Sequence, residues 1–321
     1  MINLEISDFK APFLGLNGNH ILNINRMDLA RALVTVGRNS WGDVYQQGLF
    51  RIGELICKAF AFSKMESGNL CLNDSFYSLN QSEKVTVSYY FGQALTKLFA
   101  EHKLNVPWLL HIDGVPDISF HNKGTATSKK IIHKTKKNAK SPDLYGLSGK
   151  NRVHILESKG NSGGYSLEIM QHAINQVSQV DTYNGVQPLT KTACYFDLST
   201  EPIKGIIIDP DNDGLGIDIE MNEEKPLDNF YSFFKKNSNY FNTPIKIGND
   251  NYLMAAIGIP SLFFGFNERI LNLESSYLLK NGLYNEGELL EINKSNLNTS
   301  FSIGSDGIIL IDNFHDFIKV F

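Results

Sequence analysis

Residues 143–160, DLYGLSGKNRVHILESKG, constrain the fold of this chain more than any other stretch. Two apolar, strand-like runs flank Ser148-Gly149-Lys150-Asn151, a turn composition, which together predict a β-hairpin. Gly160, Gly163 and Gly164 then open a flexible exit. A helix follows from Ser166, with Leu167, Met170, Ile174 and Val177 at helical spacing on one face. TACYFDL (192–198) and GIIIDP (205–210) read as further strands. Upstream, Ser82 is placed to cap a helix reaching about His102, its buried stripe being Tyr90, Phe91, Ala94, Leu95, Leu98 and Phe99. VPWLLHID (106–113) reads as a strand between that helix and the hairpin. The expected class is α/β, with residues 82–210 running helix, β-meander, helix, strand.

The flanks carry weaker patterns. Residues 1–81 read as a mostly helical region, with Asp28 capping LARALVTV. A second helix is expected from about Asp43, through Tyr45, Leu49, Ile52, Ile56 and Phe60. Residues 211–321 read as an α+β region of strand-like runs around a helix near 227–236. Of the 321 residues, 42% are hydrophobic and 20% charged, the balance of a globular protein that buries a core. No apolar run approaches the roughly 18 residues a membrane span needs. The start, MINLEISDFKAPF, lacks the basic and apolar regions of a signal peptide. Cys57, Cys71 and Cys194 are scattered and odd in number, fitting neither a disulfide framework nor a zinc site. These features lead to the expectation of a cytoplasmic protein with no membrane partner.

A net charge of −4 excludes a protein that coats nucleic acid through global charge. It leaves room for a local basic patch, and one lies between Asp117 and Asp143, an interval without any acidic residue. Lys123, Lys129, Lys130, Lys134, Lys136, Lys137 and Lys140 fall there, in a loop (121–141) with no apolar period and no aromatic residue suited to base stacking beyond its margin. Backbone phosphate contact is therefore the expected use of Lys129, Lys130, Lys134, Lys136, Lys137 and Lys140. Beside that loop, strand alternation puts Glu157 and Lys159 on one face and Ser158 on the other. The hairpin brings Asp143 next to them. Two carboxylates of this kind hold Mg2+ or Mn2+ while leaving room for water and a phosphate. A nearby lysine can orient the attacking water and offset developing charge.

The string SPDLYGLSGKNRVHILESKG resembles the PD-(D/E)xK nuclease superfamily, the restriction-endonuclease-like proteins. The resemblance spans residues 82–198 and leaves 1–80 and 211–321 unmatched. It implies a metal-dependent deoxyribonuclease, more naturally an endonuclease, in restriction or antiviral defence. Asp143 and Glu157 would be metal ligands, the Ser158 carbonyl a further ligand, and Lys159 the catalytic lysine. Family members often carry one more acid on the helix before the sheet, for which Glu83 is the candidate. Gln176 and Gln179 are accessory candidates, Gln179 with Tyr183 having a Q-xxx-Y spacing known in the superfamily. DNA is the implied partner, with a motor ATPase, a defence subunit or a second copy as candidate protein partners.

The motif string by itself is common. Acidic-x-Lys triplets also occur at Asp8–Lys10, Glu101–Lys103 and Glu223–Lys225, and Pro-Asp pairs also at 116–117 and 210–211. Pro210-Asp211 with Glu223 and Lys225 makes a rival match, expected to lie on a solvated loop. The bland reading of the favoured triad is an exposed cross-strand salt bridge. Two other functions remain open: a nucleic-acid-binding or scaffold subunit without catalysis, and a hydrolase of another phosphoester.

Overall fold

The computed structural model describes residues 1–113, 118–122, 141–149, 152–211, 216–259, 261–295 and 300–312. Its centre follows the expected order. Helix α5 (Gln81–Lys103) leads into strand β5 (Trp108–His111), then β7 (Leu144–Gly149), β8 (Arg152–Asn161), helix α6 (Leu167–Ser178) and strand β10 (Thr190–Asp197). β5, β7 and β8 form an antiparallel meander, and β10 lies parallel to β8 after the α6 crossover. Residues Val153–Ser158 are all buried, as befits a central strand covered on both faces. On one side, the Thr96 hydroxyl of α5 donates to the Ser158 hydroxyl at 2.9 Å.

The approach of α5 to β8 requires glycine on both partners. A Cβ on Gly92 would lie 2.6 Å from the Gly160 backbone nitrogen, and one on Gly160 would lie 2.0 Å from the Ser88 carbonyl. Both contacts are with backbone, which cannot yield as a side chain can. Gly160→Ala is therefore expected to lower stability by about 1–3 kcal/mol in urea unfolding. Gly163→Ala, whose Cβ would meet only the Asn161 side chain at 3.4 Å, should stay within about 0.5 kcal/mol of the parent. Equal stability of the two variants would contradict this account of the helix–strand contact.

The flanks are built into the same body. Among the described residues this sheet has seven strands, ordered β2-β1-β11-β10-β8-β7-β5, with β1 (Ile2–Ser7) and β2 (Gly18–Leu22) supplied by the N-terminal region. β11 (Lys204–Ile208) pairs antiparallel with β10 and parallel with β1. The first residues thus extend the sheet, and the helices of the region come after them. Ile2, Leu4 and Ile6 are buried between exposed Asn3 and Glu5, a period of two. Three helices follow: α1 (Arg26–Thr35), α2 (Gly42–Gln47) and α3 (Phe50–Phe62). A hairpin of β3 (Ser63–Glu66) and β4 (Asn69–Leu72) and the short α4 (Asp74–Tyr77) complete the region. The caps differ from the expected ones by a few residues. Asn25 caps α1, with Asp28 at the third helical position returning the bond, and Asn80 with Glu83 does the same for α5.

The C-terminal region forms a five-stranded antiparallel sheet, β13-β14-β15-β17-β16. Its strands are β13 (Thr243–Ile247), β14 (Asp250–Ala256), β15 (Phe263–Asn267), β16 (Phe301–Ile303) and β17 (Ile308–Ile311). Helices α7 (Glu224–Lys236), α8 (Ser275–Asn281) and α9 (Glu286–Ser295) accompany it. A small sheet of β6 (Ser119–Asn122), β12 (Ile217–Glu220) and β9 (Val180–Tyr183) is formed by segments interleaved in sequence with the strands of the large sheet and following it. The Trp41 indole donates to the Phe230 carbonyl at 2.7 Å and the Trp108 indole to the Tyr231 hydroxyl at 2.6 Å. One hydrophobic cluster runs from Ile2 to Ile311. The three sequence regions therefore share a core. No described helix is long and apolar enough to cross a membrane.

Candidate active site

Asp143 immediately precedes β7, and the pairing of Leu144 with Leu156 sets it opposite Glu157. The Asp143 backbone N–H donates to Glu157 Oε2 at 2.8 Å, and the Lys159 ammonium donates to Glu157 Oε1. The Asp143 carbonyl accepts from the Ile112 N–H at 3.0 Å, and His111 Nδ1 lies 3.3 Å from it. Helix α5 contributes Gln93, whose Nε2 donates to Asp143 Oδ2 at 3.3 Å. Helix α6 contributes Gln176, whose Nε2 donates to the Ser141 carbonyl at 3.3 Å. Strands β5, β7 and β8 and both helices thus converge on one end of the sheet. The predicted triad comes together there.

The electrostatics set this site apart from a surface ion pair. Glu157 is fully buried, which overturns the reading of an exposed cross-strand bridge. Burial, with the Asp143 charge added to it, pushes the Glu157 carboxyl up to about 7 against the pull of Lys159. Burial raises Asp143 as well, again opposed by Lys159. One ammonium is too little positive charge for one buried and one half-buried carboxylate. That deficit is the observation on which a divalent cation fits. Among the described residues no group of three or more His, Cys, Asp and Glu could hold a metal. Mg2+ needs only one or two carboxylates beside water and phosphate oxygens, so the pair fits it. The Ser158 carbonyl belongs to the same strand, between β7 and β10, with its hydroxyl turned to α5.

Other expected residues stand elsewhere. Glu83 is exposed and engaged in the α5 capping box, where its carboxylate accepts from the Asn80 N–H at 3.1 Å. It lies ten residues, about 15 Å of helix rise, before Gln93, so Glu83 is corrected from metal ligand to helix cap. Glu101, at the other end of α5, is buried against Arg31. Gln179 is the C-cap of α6 and Tyr183 lies on β9, so no single helical face carries the Q-xxx-Y pair. Lys123, Lys129, Lys130, Lys134, Lys136, Lys137 and Lys140 lie outside the described residues. The rival triplet was expected on a solvated loop, but Glu223 is buried at the start of α7, near Tyr145 and Tyr183. Asp211 instead forms an exposed pair with Lys10. His154 is buried between Ser148 and Thr190 hydroxyls, and burial lowers it to about 3.

Gln93, Tyr89, His111 and Asp113 were not singled out as site residues by sequence. A cleft of 270 Å³ is lined by Tyr89, His111, Asp113, Ser141, Pro142 and Asp143. The basic segment therefore ends in the wall of the acidic cleft. One signal was available: α5 is buried without interruption from Phe91 to Glu101, yet Gln93, Thr96 and Lys97 are polar. Polar side chains within a buried helix need partners, and Gln93 finds Asp143. Compared with known proteins, the chain matches no family model, no curated protein and no solved structure at a significant level.

Proposed function

We propose that the chain is a Mg2+- or Mn2+-dependent deoxyribonuclease of the PD-(D/E)xK type that cuts DNA endonucleolytically. The observation that carries this reading is the Asp143–Glu157 carboxylate pair, Glu157 buried and Asp143 half-buried, short of positive charge, with Lys159 on it. The order α5, β5-β7-β8, α6, β10 supports a restriction-endonuclease-like core around that pair. Asp143 and Glu157, with the Ser158 carbonyl, would hold the cation. When bound, it would polarise the scissile phosphate and lower the pKa of an attacking water. Gln93 and the Ile112 N–H fix Asp143, so its carboxylate loses little freedom on binding. Lys159, partly exposed, is held beside the pair by Glu157, where its ammonium would orient water and offset charge on the phosphate. A setting in restriction or antiviral defence, with a motor ATPase, a defence subunit or a second copy as partner, extends the same reading.

Lys159→Ala tests it. Plasmid cleavage in Mg2+ is expected to fall about 10²–10³-fold, as when one stabilising donor is removed from a charged transition state. Duplex binding in EDTA should be unchanged. Undiminished cleavage would reject the reading. Replacing Lys129, Lys130, Lys134, Lys136, Lys137 and Lys140 by glutamine should instead weaken binding uniformly across sequences. The log–log salt slope should shrink by roughly 0.9 for each phosphate that is no longer neutralised. An unchanged slope would remove that segment from the DNA interface.

A further inference from the structure

A second cleft, of 360 Å³, opens beside the acidic one and shares Tyr89, His111 and Asp113 with it. That volume lies within the about 300–1,000 Å³ usual for small-molecule sites. Its cations are already neutralised. The Arg38 guanidinium is 8% exposed, donates to the Val34 carbonyl at 2.7 Å and pairs with Asp43. Arg51 pairs with Asp43 at 3.0 Å and with Glu54 at 2.6 Å. A phosphate would find no spare positive charge there. Two amides in the lining have the opposite condition, an acceptor without a donor. Asn39 uses its Nδ2 on the His111 carbonyl at 2.6 Å and the Asp113 carbonyl at 3.0 Å, leaving Oδ1 buried with no hydrogen bond. Gln93, 2% exposed, uses Nε2 on Asp143 and leaves Oε1 buried with no hydrogen bond. Neither amide can turn over without setting oxygen against oxygen. Tyr89, 47% exposed, stands between the two clefts with Tyr90 beside it at 5.9 Å.

We propose that this cleft is a subsite for a single unstacked nucleobase, which stacks on Tyr89 and turns its polar edge toward Asn39 and Gln93. A wall with no spare cation and an exposed aromatic face suits a base better than a phosphate or a sugar. The proposal rests on the nuclease reading for its substrate, since the base would belong to the nucleotide next to the bond cut at Asp143 and Glu157. A base can reach such a pocket from a single strand or by leaving the helix.

The test is fluorescence anisotropy in EDTA with the full chain. The ligands are a single-stranded hexanucleotide and six versions of it, each with one abasic residue. In the parent protein one abasic position is expected to weaken binding about 10-fold, the scale of one base–aromatic stack. Tyr89→Ala should lose the same factor on the intact strand and become insensitive to that position. Two results would overturn the proposal: no sensitive abasic position in the parent, or a Tyr89→Ala loss undiminished on every abasic strand. Adenosine monophosphate, titrated separately, divides the two readings. If no hexanucleotide binds but the mononucleotide does, in a Tyr89-dependent way, the subsite stands and the DNA reading fails. If neither binds, the subsite is rejected.

Discussion

Glu157→Gln is expected to give a protein whose stability no longer falls as pH rises from 4.5 through about 7 and whose cleavage is strongly reduced. Burial and the Asp143 charge raise the Glu157 carboxyl from 4.5 to about 7 in the folded state. The folded state therefore holds a proton that the unfolded state has released between those two values. Stability contributed by this group is complete below pH 4.5 and is lost as pH rises through about 7. The displacement corresponds to about 3 kcal/mol above pH 7. Glutamine carries no such titration, so the variant's stability should stay flatter across that window, and urea unfolding at pH 5 and pH 8 measures the difference. Added Mg2+ should act in the opposite sense on the parent. It should raise the melting temperature at pH 8 more than at pH 5, where protons compete, with about 2.7 kcal/mol expected at a hundredfold excess over Kd. Cleavage by the variant should fall about 10²–10³-fold. A variant as pH-sensitive as the parent would show that Glu157 is not the titrating group.

The largest loss of stability is expected from Arg31→Met. Arg31 on α1 is completely buried, 3.0 Å from Glu101 Oε2 on α5, and donates to the Ser302 hydroxyl on β16 at 2.9 Å. Glu101 also accepts from the Ser305 N–H and hydroxyl. Lys97 lies 3.2 Å from Asp306, and Ser302 donates to Asp28 at 2.5 Å. This network ties the N-terminal helices and the C-terminal sheet to α5, the helix that also carries Gln93. Burial alone would raise Glu101, but Arg31 and Lys97 outweigh it and hold the carboxyl at about 2. Its contribution is therefore present above pH 4.5 and lost as pH falls toward 2. Removing the guanidinium strands a buried carboxylate, at a cost of about 3–5 kcal/mol. Arg31→Met with Glu101→Met together should recover part of that loss, since no charge is then left unpaired. A single-variant loss below about 1 kcal/mol would contradict the assigned role.

What sequence revealed and what it concealed divide along a physical line. Asp143, Glu157 and Lys159 were legible because a hairpin is local: a turn and two alternating strands determine which side chains meet. The run α5 to β10 was legible for the same reason, each element carrying its own period. Asn25 and Asn80 as caps were within reach of the pattern, but neighbouring Asp28 and Ser82 are equally good cap residues by type. The joining of β1 to β11 was not legible, because it pairs residues about two hundred positions apart, although the alternation of Ile2, Leu4 and Ile6 marked a strand. Gln93 and Asp113 escaped for a related reason. Their place beside Asp143 follows from how α5 and the segment just after β5 pack, which no local spacing encodes. The rival Glu223 was set aside for the wrong cause, since it is buried rather than solvated, whereas Asp211 is exposed and paired with Lys10.

The central claim is that Asp143 and Glu157 form a divalent-cation centre for phosphodiester cleavage. The most direct measurement follows supercoiled plasmid with the parent protein and Asp143→Asn, each in Mg2+ and in EDTA, alongside calorimetric titration of Mn2+ into both. The account requires cleavage by the parent in Mg2+ alone. It also requires Mn2+ binding that Asp143→Asn loses together with cleavage, while a thermal melt shows that the variant remains folded. Cleavage that persists in EDTA, or in Asp143→Asn, would contradict it.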